Sequence, residues 1–306
     1  MRILLASLFA LCLSQAAAQS CYSMSAAQKA HALQTHLYEG APSTGALMVR
    51  RAYITEYNET YRVPRWVAWH ASSDYRPTPR RSAGTWGSFY RDTDVPNPVV
   101  TRDYVGLYDG PDNFARGHLA PYFISGGDRN ANGEIATLAD GETRNDPYDA
   151  CTVREINYMT NITPQYHRRF NGSPGGEDAI PGLWYQLETI VRERIDRGEE
   201  YHLIAGTLFA EHDVQLVGRD NDIGVPDEFF KIVVTNIGPV GFLFSHRRTI
   251  NADACALDSA LEACIIPIAT IEAATGLDFF AQLPDGIEAE FEAIDGQTVW
   301  QDLIAR

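Results

Sequence analysis

The sequence predicts an α+β fold, a central and mostly antiparallel sheet flanked by helices and long loops. Three observations carry this. Runs rich in β-branched and aromatic residues stand both before and after one amphipathic stretch at 183–197, where Leu183, Leu187, Ile190, Val191 and Ile195 share a helical face. Helical segments do not alternate regularly with the strand-like runs, so a repeated βαβ sheet is excluded. The remaining connections are long and rich in Gly, Asn and Asp, and no internal repeat is visible.

Taken in order, residues 1–18 read as an export signal: Met1-Arg2, a short apolar run to Leu13, then Ala16-Ala17-Ala18 as a cleavage site. That run is too short to span a bilayer, and no later one approaches a span, so no membrane partner is expected. Residues 19–45 form an N-terminal arm and linker, with a helix over 23–37 for which Ser25 is a cap. The main domain covers 46–306. It begins with strands at 47–55 and 66–70, and His70, at the end of the second, has no evident partner and reads as structural. Residues 77–98 form an arginine-containing loop. Residues 126–150 and 172–181 read as two further loops. After the helix at 183–197, stopped by Gly198, strands are expected at 201–209, 229–236 and 240–244, then a short helix at 270–275 closed by Gly276.

Five cysteines fit an exported chain. Cys12 leaves with the signal, and the remaining four allow three pairings. The close pair Cys255 and Cys264 is the first choice, leaving Cys21 for Cys151. A zinc site would need tighter Cys/His clustering.

A formal net charge of −15 argues against tight, static binding of nucleic acid. Lys29 and Lys231 are the only lysines, and arginines bunch at 76–91 and 154–169. A local arginine groove on an acidic body could grip phosphates and still release product.

The most chemically loaded stretch is Asn113-Phe114-Ala115-Arg116-Gly117-His118-Leu119-Ala120-Pro121, read as a turn that Gly117 leaves free of bulk and Pro121 keeps from extending as a strand. An imidazole can take a proton from water, and a neighbouring guanidinium can hold a phosphate with two hydrogen bonds. Downstream stand Asn157-Tyr158-Met159-Thr160-Asn161-Ile162-Thr163-Pro164-Gln165, then Phe170-Asn171, then Gly182-Leu183-Trp184-Tyr185-Gln186-Leu187-Glu188. Two later blocks run 225–231 and 271–280. In this order the blocks resemble the DNA/RNA non-specific endonucleases of the ββα-metal type, marked by Asp-Arg-Gly-His, Asn-Ile-(Ser/Thr)-Pro-Gln and a Gly-x-Trp-x-x-Leu-Glu helix. The likeness covers about 46–284.

The resemblance implies a ββα-metal nuclease fold and a secreted, metal-dependent phosphodiesterase. It would act on DNA and RNA without sequence preference and leave 5′-phosphate ends. His118 would be the general base, Arg116 a phosphate contact, and Asn161 the asparagine that orients His118. Asn171 would hold Mg2+ or Mn2+ directly, and Glu188 would bind the metal's waters. The 17 residues from Asn171 to Glu188 exceed the family's spacing, so Asn171 must sit on a turn before the loop and fold back, with Asp178 as the substitute ligand. The family's arginine before a Phe-x-x-Asp element, here Phe89-Tyr90-Arg91-Asp92, is assigned to Arg81, with Arg80 equally placed and Arg91 open. Ala115 stands where the family carries aspartate, which bears on how Arg116 is held. A nuclease-like binding module without catalysis is the alternative.

Residues 128–135 follow the Asp-x-Asn-x-Asn-Gly order of a calcium loop, so Asp128, Asn130, Asn132 and Glu134 are candidate ligands of a structural Ca2+. Gly133 would allow the sharp turn and Ile135 would be buried. Position twelve is Ala139, so Asp140, Glu142 or a residue nearer Asp149 would have to close the shell. An Asx-rich turn without an ion is the other reading.

Overall fold

The computed structural model describes residues 21, 23–82, 86–110, 112–136, 146–172 and 180–305. The expected signal lies outside these residues. Helix α1 (Ala26–His36) starts at a Ser25 capping box, in which the Ser25 hydroxyl accepts from Gln28 N–H and the Gln28 amide accepts from Ser25 N–H. The expected strand at 47–55 is instead a hairpin of β1 (Leu47–Val49) and β2 (Ile54–Asn58). Its turn holds Arg50 and Arg51, whose guanidiniums pair with buried Asp92 and Glu155 and so leave the sheet. Strand β3 (Val63–Ala71) follows.

The stretch expected as a turn is a strand. Residues β4 (Phe114–His118) pair antiparallel with β5 (Ile162–Tyr166), Gly117 opposite Thr163. Gly117 is required because the cross-strand Gln165 side chain occupies its outer face: a Cβ there would lie 2.0 Å from Gln165 Oε1. Among the described residues of the loop expected at 126–150, the last part departs from that expectation. There α2 (Pro147–Glu155) begins, with Asp146 accepting from the N–H groups of Tyr148 and Asp149 and Pro147 in the first turn.

Helix α3 (Leu183–Ile195) leads to β6 (Tyr201–Leu208), a small ribbon of β7 (Leu216–Val217) and β8 (Ile223–Gly224), then β9 (Glu228–Thr235), β10 (Gly238–Ser245) and β11 (Ile265–Ile266). Helix α4 (Ile268–Thr275) ends at Gly276, φ +64°. Two helices without a sequence-based expectation close the chain, α5 (Asp285–Glu292) and α6 (Gly296–Ala305).

The seven-stranded sheet runs β1-β2-β3-β6-β9-β10-β11 and every pairing is antiparallel. Both faces are covered, which is why its strands read as near-continuous apolar runs. Val67, Trp69, Leu203, Phe229 and Phe242 pack under α3 and α6. Trp66, Ala68, Ile204, Phe230 and Leu243 face α1 and α4 on the other side. His70 does have partners: its Nδ1 lies 3.2 Å from the Tyr75 hydroxyl and its ring 4.7 Å from that of His202.

Disulfides join Cys21 to Cys151 and Cys255 to Cys264, the expected pairing. The first ties the N-terminal arm to α2 across 130 residues of sequence. Replacing Cys21 and Cys151 by alanine should lower the unfolding free energy by about 2–5 kcal/mol. Denaturant unfolding checks this, and an unchanged midpoint would show that the link contributes nothing.

Candidate active site

Strand β4 presents Arg116 and His118 on one face, two residues apart. Phe89 forms the floor beneath them, its ring centroid 4.4 Å from the Arg116 guanidinium and 5.4 Å from the His118 ring. The absent aspartate at Ala115 is thus matched by an aromatic seat for Arg116. Arg81 completes the group, 5.4 Å from the Phe89 ring and 5.0 Å from that of Tyr122. Arg80 is exposed and makes no such contact, and Arg91 points to a neighbouring cavity. The Phe-x-x-Asp element is held by its aspartate, since buried Asp92 accepts from Arg50 and from Thr160 Oγ1, both at 2.6 Å.

Asn157, not Asn161, orients His118. His118 Nε2 lies 3.0 Å from Asn157 Oδ1. The direction of that amide is fixed because Asn157 Nδ2 donates to the carbonyls of Trp86 at 2.9 Å and Val153 at 3.3 Å. Its oxygen therefore faces the ring, His118 carries its proton on Nε2, and the Nδ1 lone pair is free. Asn161 cannot take this part. Its side chain is occupied by the N–H and carbonyl of Ala120 and the carbonyl of Ile156, so it shapes the chain just after His118. Asn157 stood in the quoted sequence block, but spacing alone could not distinguish two buried asparagines four residues apart.

Burial first and the charge of Arg81 next hold the His118 imidazole down to about 3; the Asn157 hydrogen bond pulls the other way, and the charge of Arg116 adds a lesser downward push. The ring is therefore neutral at physiological pH.

Asn171 ends an irregular turn, His167–Asn171, in which Arg169 adopts φ +61°. The turn is anchored by Phe170, buried against Trp184, Phe229 and His246. It packs on β4, β5 and α3. Just beyond it, Gly182 N–H donates to the Gly172 carbonyl at 2.9 Å. Gly182 must lack a side chain, because a Cβ would lie 2.1 Å from the Phe170 carbonyl oxygen. Asn171 thus ends a turn that packs on α3, the helix on which Glu188 lies. Asp178 falls outside the described residues.

Glu188 Oε1 meets Lys231 Nζ at 3.4 Å, and that ammonium sits 3.5 Å from the Trp184 ring. Burial pushes the Glu188 carboxyl up and the Lys231 ammonium down to about 8, each charge limiting the other's shift. Lys231 is a fully enclosed cation on β9, and its part beside Glu188 was not legible in the sequence, because it rests on a strand pairing far along the chain.

The candidate calcium loop folds as successive Asx turns. Asp128 accepts from the N–H groups of Asn132 and Gly133, Asn130 from Asn132, and Asn132 from Glu134. Asp146 accepts from the amides of Asn130 and Asn132, and Asp149 lies nearby with Oδ2 buried and unpartnered. Ile135 is 39% exposed, not buried, since these turns direct the chain outward. Among the described residues no group of three or more His, Cys, Asp or Glu is placed to hold a metal ion. Ala139, Asp140 and Glu142 lie outside them.

An antiparallel ribbon carrying the histidine, followed by a helix carrying the acid, is the ββα-metal nuclease arrangement within an α+β fold. The chain belongs to the DNA/RNA non-specific endonuclease family, whose model matches residues 33–286. It is similar to a nuclease of Serratia marcescens, 27% identical over 270 residues and 84% of each chain. A nuclease of Nostoc sp. is 26% identical over 278 residues, 85% of this chain and 86% of that one. The mitochondrial nuclease EXOG of Mus musculus is 24% identical over 246 residues, 76% of this chain but 56% of that protein. In the crystal structure of an EndoG/EndoGI complex, one chain superposes with a TM-score of 0.58 at 19% identity, covering 86% of this chain and 95% of its own, a likeness of fold. As a member of its family the chain is a phosphodiester-hydrolysing nuclease. Among the described residues no helix is long and apolar enough to cross a membrane.

The two asparagines should separate experimentally. Each buried amide satisfies main-chain groups, so Asn157→Ala and Asn161→Ala should each cost about 1–3 kcal/mol of folding free energy, but only Asn157→Ala is expected also to lower kcat, about tenfold to a hundredfold. Parallel kinetics and denaturant unfolding check both, and the reverse pattern would restore Asn161 as the orienting residue.

Protonation of His118 removes its lone pair, and its depressed pKa keeps that loss far below pH 6.5. The kcat/KM profile should therefore show no imidazole limb between pH 8 and 6. Removing a flanking cation in Arg81→Ala raises the His118 pKa and should move the acid limb to higher pH. A wild-type limb centred near 6.5, unmoved in that variant, would contradict this electrostatic account.

Proposed function

We propose that this chain is an exported, metal-dependent endonuclease that hydrolyses DNA and RNA without sequence preference and leaves 5′-phosphate ends. The observation that carries the reading is the fixed tautomer of His118 beside two guanidiniums. Nδ1 takes a proton from a water that attacks phosphorus. The bond from phosphorus to the 3′ oxygen breaks, so the phosphate stays on the 5′ side of the downstream nucleotide. Arg116 and Arg81 bind the non-bridging oxygens and stabilise the charge that grows on them.

The donor set suits a hard divalent cation such as Mg2+ or Mn2+. Asn171 is partly exposed and its side-chain amide makes no hydrogen bond among the described residues, which leaves Oδ1 free as a direct ligand. Glu188 has one oxygen toward Lys231, and its other oxygen would accept from metal-bound water. Such an ion supplies positive charge at the phosphoryl and leaving oxygens. The two disulfides agree with export to an oxidising compartment.

His118→Ala should cut cleavage of both DNA and RNA by about 10²-fold to 10⁴-fold. Asn171→Ala should raise the Mg2+ concentration needed for half-maximal rate, with partial recovery at higher Mg2+. Wild-type products should accept a 5′ label from polynucleotide kinase only after phosphatase treatment. Near-wild-type cleavage by His118→Ala, or products labelled without phosphatase, would sink the mechanism.

A further inference from the structure

Away from the site, several arginines are neutralised by acids: Arg50 by Asp92, Arg62 by Asp222, Arg76 by Asp196 and Arg247 by Asp227. Arg91, Arg102 and Arg154 are not among them, and among the described residues none of the three pairs with a carboxylate. In a chain of net charge −15, three unneutralised guanidiniums around one cavity form a local positive site. That cavity, about 660 Å³, is also lined by Phe89, Tyr90 and Tyr158. Its size suits one nucleotide.

The cavity is fixed relative to the base. Phe89 contacts His118 and Arg116 and also forms part of the cavity wall. Tyr90 N–H donates to the Asn157 carbonyl at 3.0 Å, and Met159 N–H to the Tyr90 carbonyl at 2.9 Å. The wall and the asparagine that orients His118 thus share one hydrogen-bonded segment. Within the cavity the Arg154 guanidinium already lies 3.7 Å from the Tyr90 ring centroid, so it is ordered before any ligand arrives.

We infer that this cavity is a subsite for the nucleotide flanking the scissile phosphate. Its phosphate would lie on Arg91, Arg102 and Arg154, and its base against the rings of Phe89 and Tyr158. Aromatic stacking accepts every base, which suits cleavage without sequence preference. The inference rests on the proposed nuclease reading, but binding and cleavage test the two separately.

Binding of a fluorescent single-stranded dodecanucleotide is measured by anisotropy in a His118→Ala background, with and without Arg102→Ala plus Arg154→Ala. The double change should raise Kd at least tenfold and reduce the slope of log K against log salt by about 1.4. In the catalytically intact protein, its loss in kcat/KM should grow with substrate length. The loss on an octanucleotide should be at least fivefold larger than on a dinucleoside monophosphate, which has no flanking phosphate. Arg91→Ala plus Arg102→Ala, both exposed positions, repeats the test should the Arg154 change disturb folding. Equal losses on both substrates, or an unchanged Kd and salt slope, would overturn the subsite. Should the intact protein cut neither substrate, the nuclease mechanism fails, and the anisotropy result still decides the cavity.

Discussion

An imidazole between two guanidiniums can act as a base only when it stays neutral and presents one defined nitrogen, and the Asn157 amide secures the second condition. That amide is itself locked by two carbonyls, one from the segment before Phe89 and one from α2. The segment carrying Trp86, helix α2 and the ribbon β4–β5 must all be in place before His118 has a fixed tautomer. Local chemistry at one nitrogen thus depends on the assembly of three distant segments. Burial and the flanking cations secure neutrality, so the groups that would bind phosphate also keep the base unprotonated.

The acidic composition looks at odds with a polyanionic substrate until the arginines are followed one by one. Several of those remote from the site serve as structural cations for buried carboxylates such as Asp92, Glu155 and Asp227. Among the described residues, those around Phe89 pair with no carboxylate. Net charge describes the body, whereas recognition depends on which few cations remain unpaired. A weakly attracting body with a strongly attracting strip also favours release of the cut strand.

The sequence displayed a good part of this. The antiparallel sheet, α1 with its cap, the helix α3 and the two disulfide pairings were legible because each rests on local periodicity, capping or a countable set of cysteines. The β1–β2 hairpin was not, since the reason for its turn lies in Asp92 and Glu155, far away in sequence. Strand β4 read as a turn because Gly117 suggested flexibility, while its actual reason is the cross-strand Gln165. Helix α2 carried a readable Asp-Pro start inside a segment whose composition said loop. At the site, His118, Arg116 and Glu188 stood in recognisable blocks. The choice of Asn157 over Asn161 and the pairing of Glu188 with Lys231 required three-dimensional neighbours.

The pinch between Gly172 and Gly182 bears on the history of the chain as well as its chemistry. Because Gly172 and Gly182 meet through one backbone hydrogen bond, the general cost of doubling the number of residues joining two such fixed ends is only about 0.6 kcal/mol. Asn171 and Glu188 are referenced to each other through Phe170 and the start of α3, not through the residues between. Insertions and deletions can therefore accumulate here with little effect on the relative placement of the two side chains. Separation along the chain is a poor guide to distance at this point, and descendants of one ancestor could differ widely in length here while retaining the same reaction.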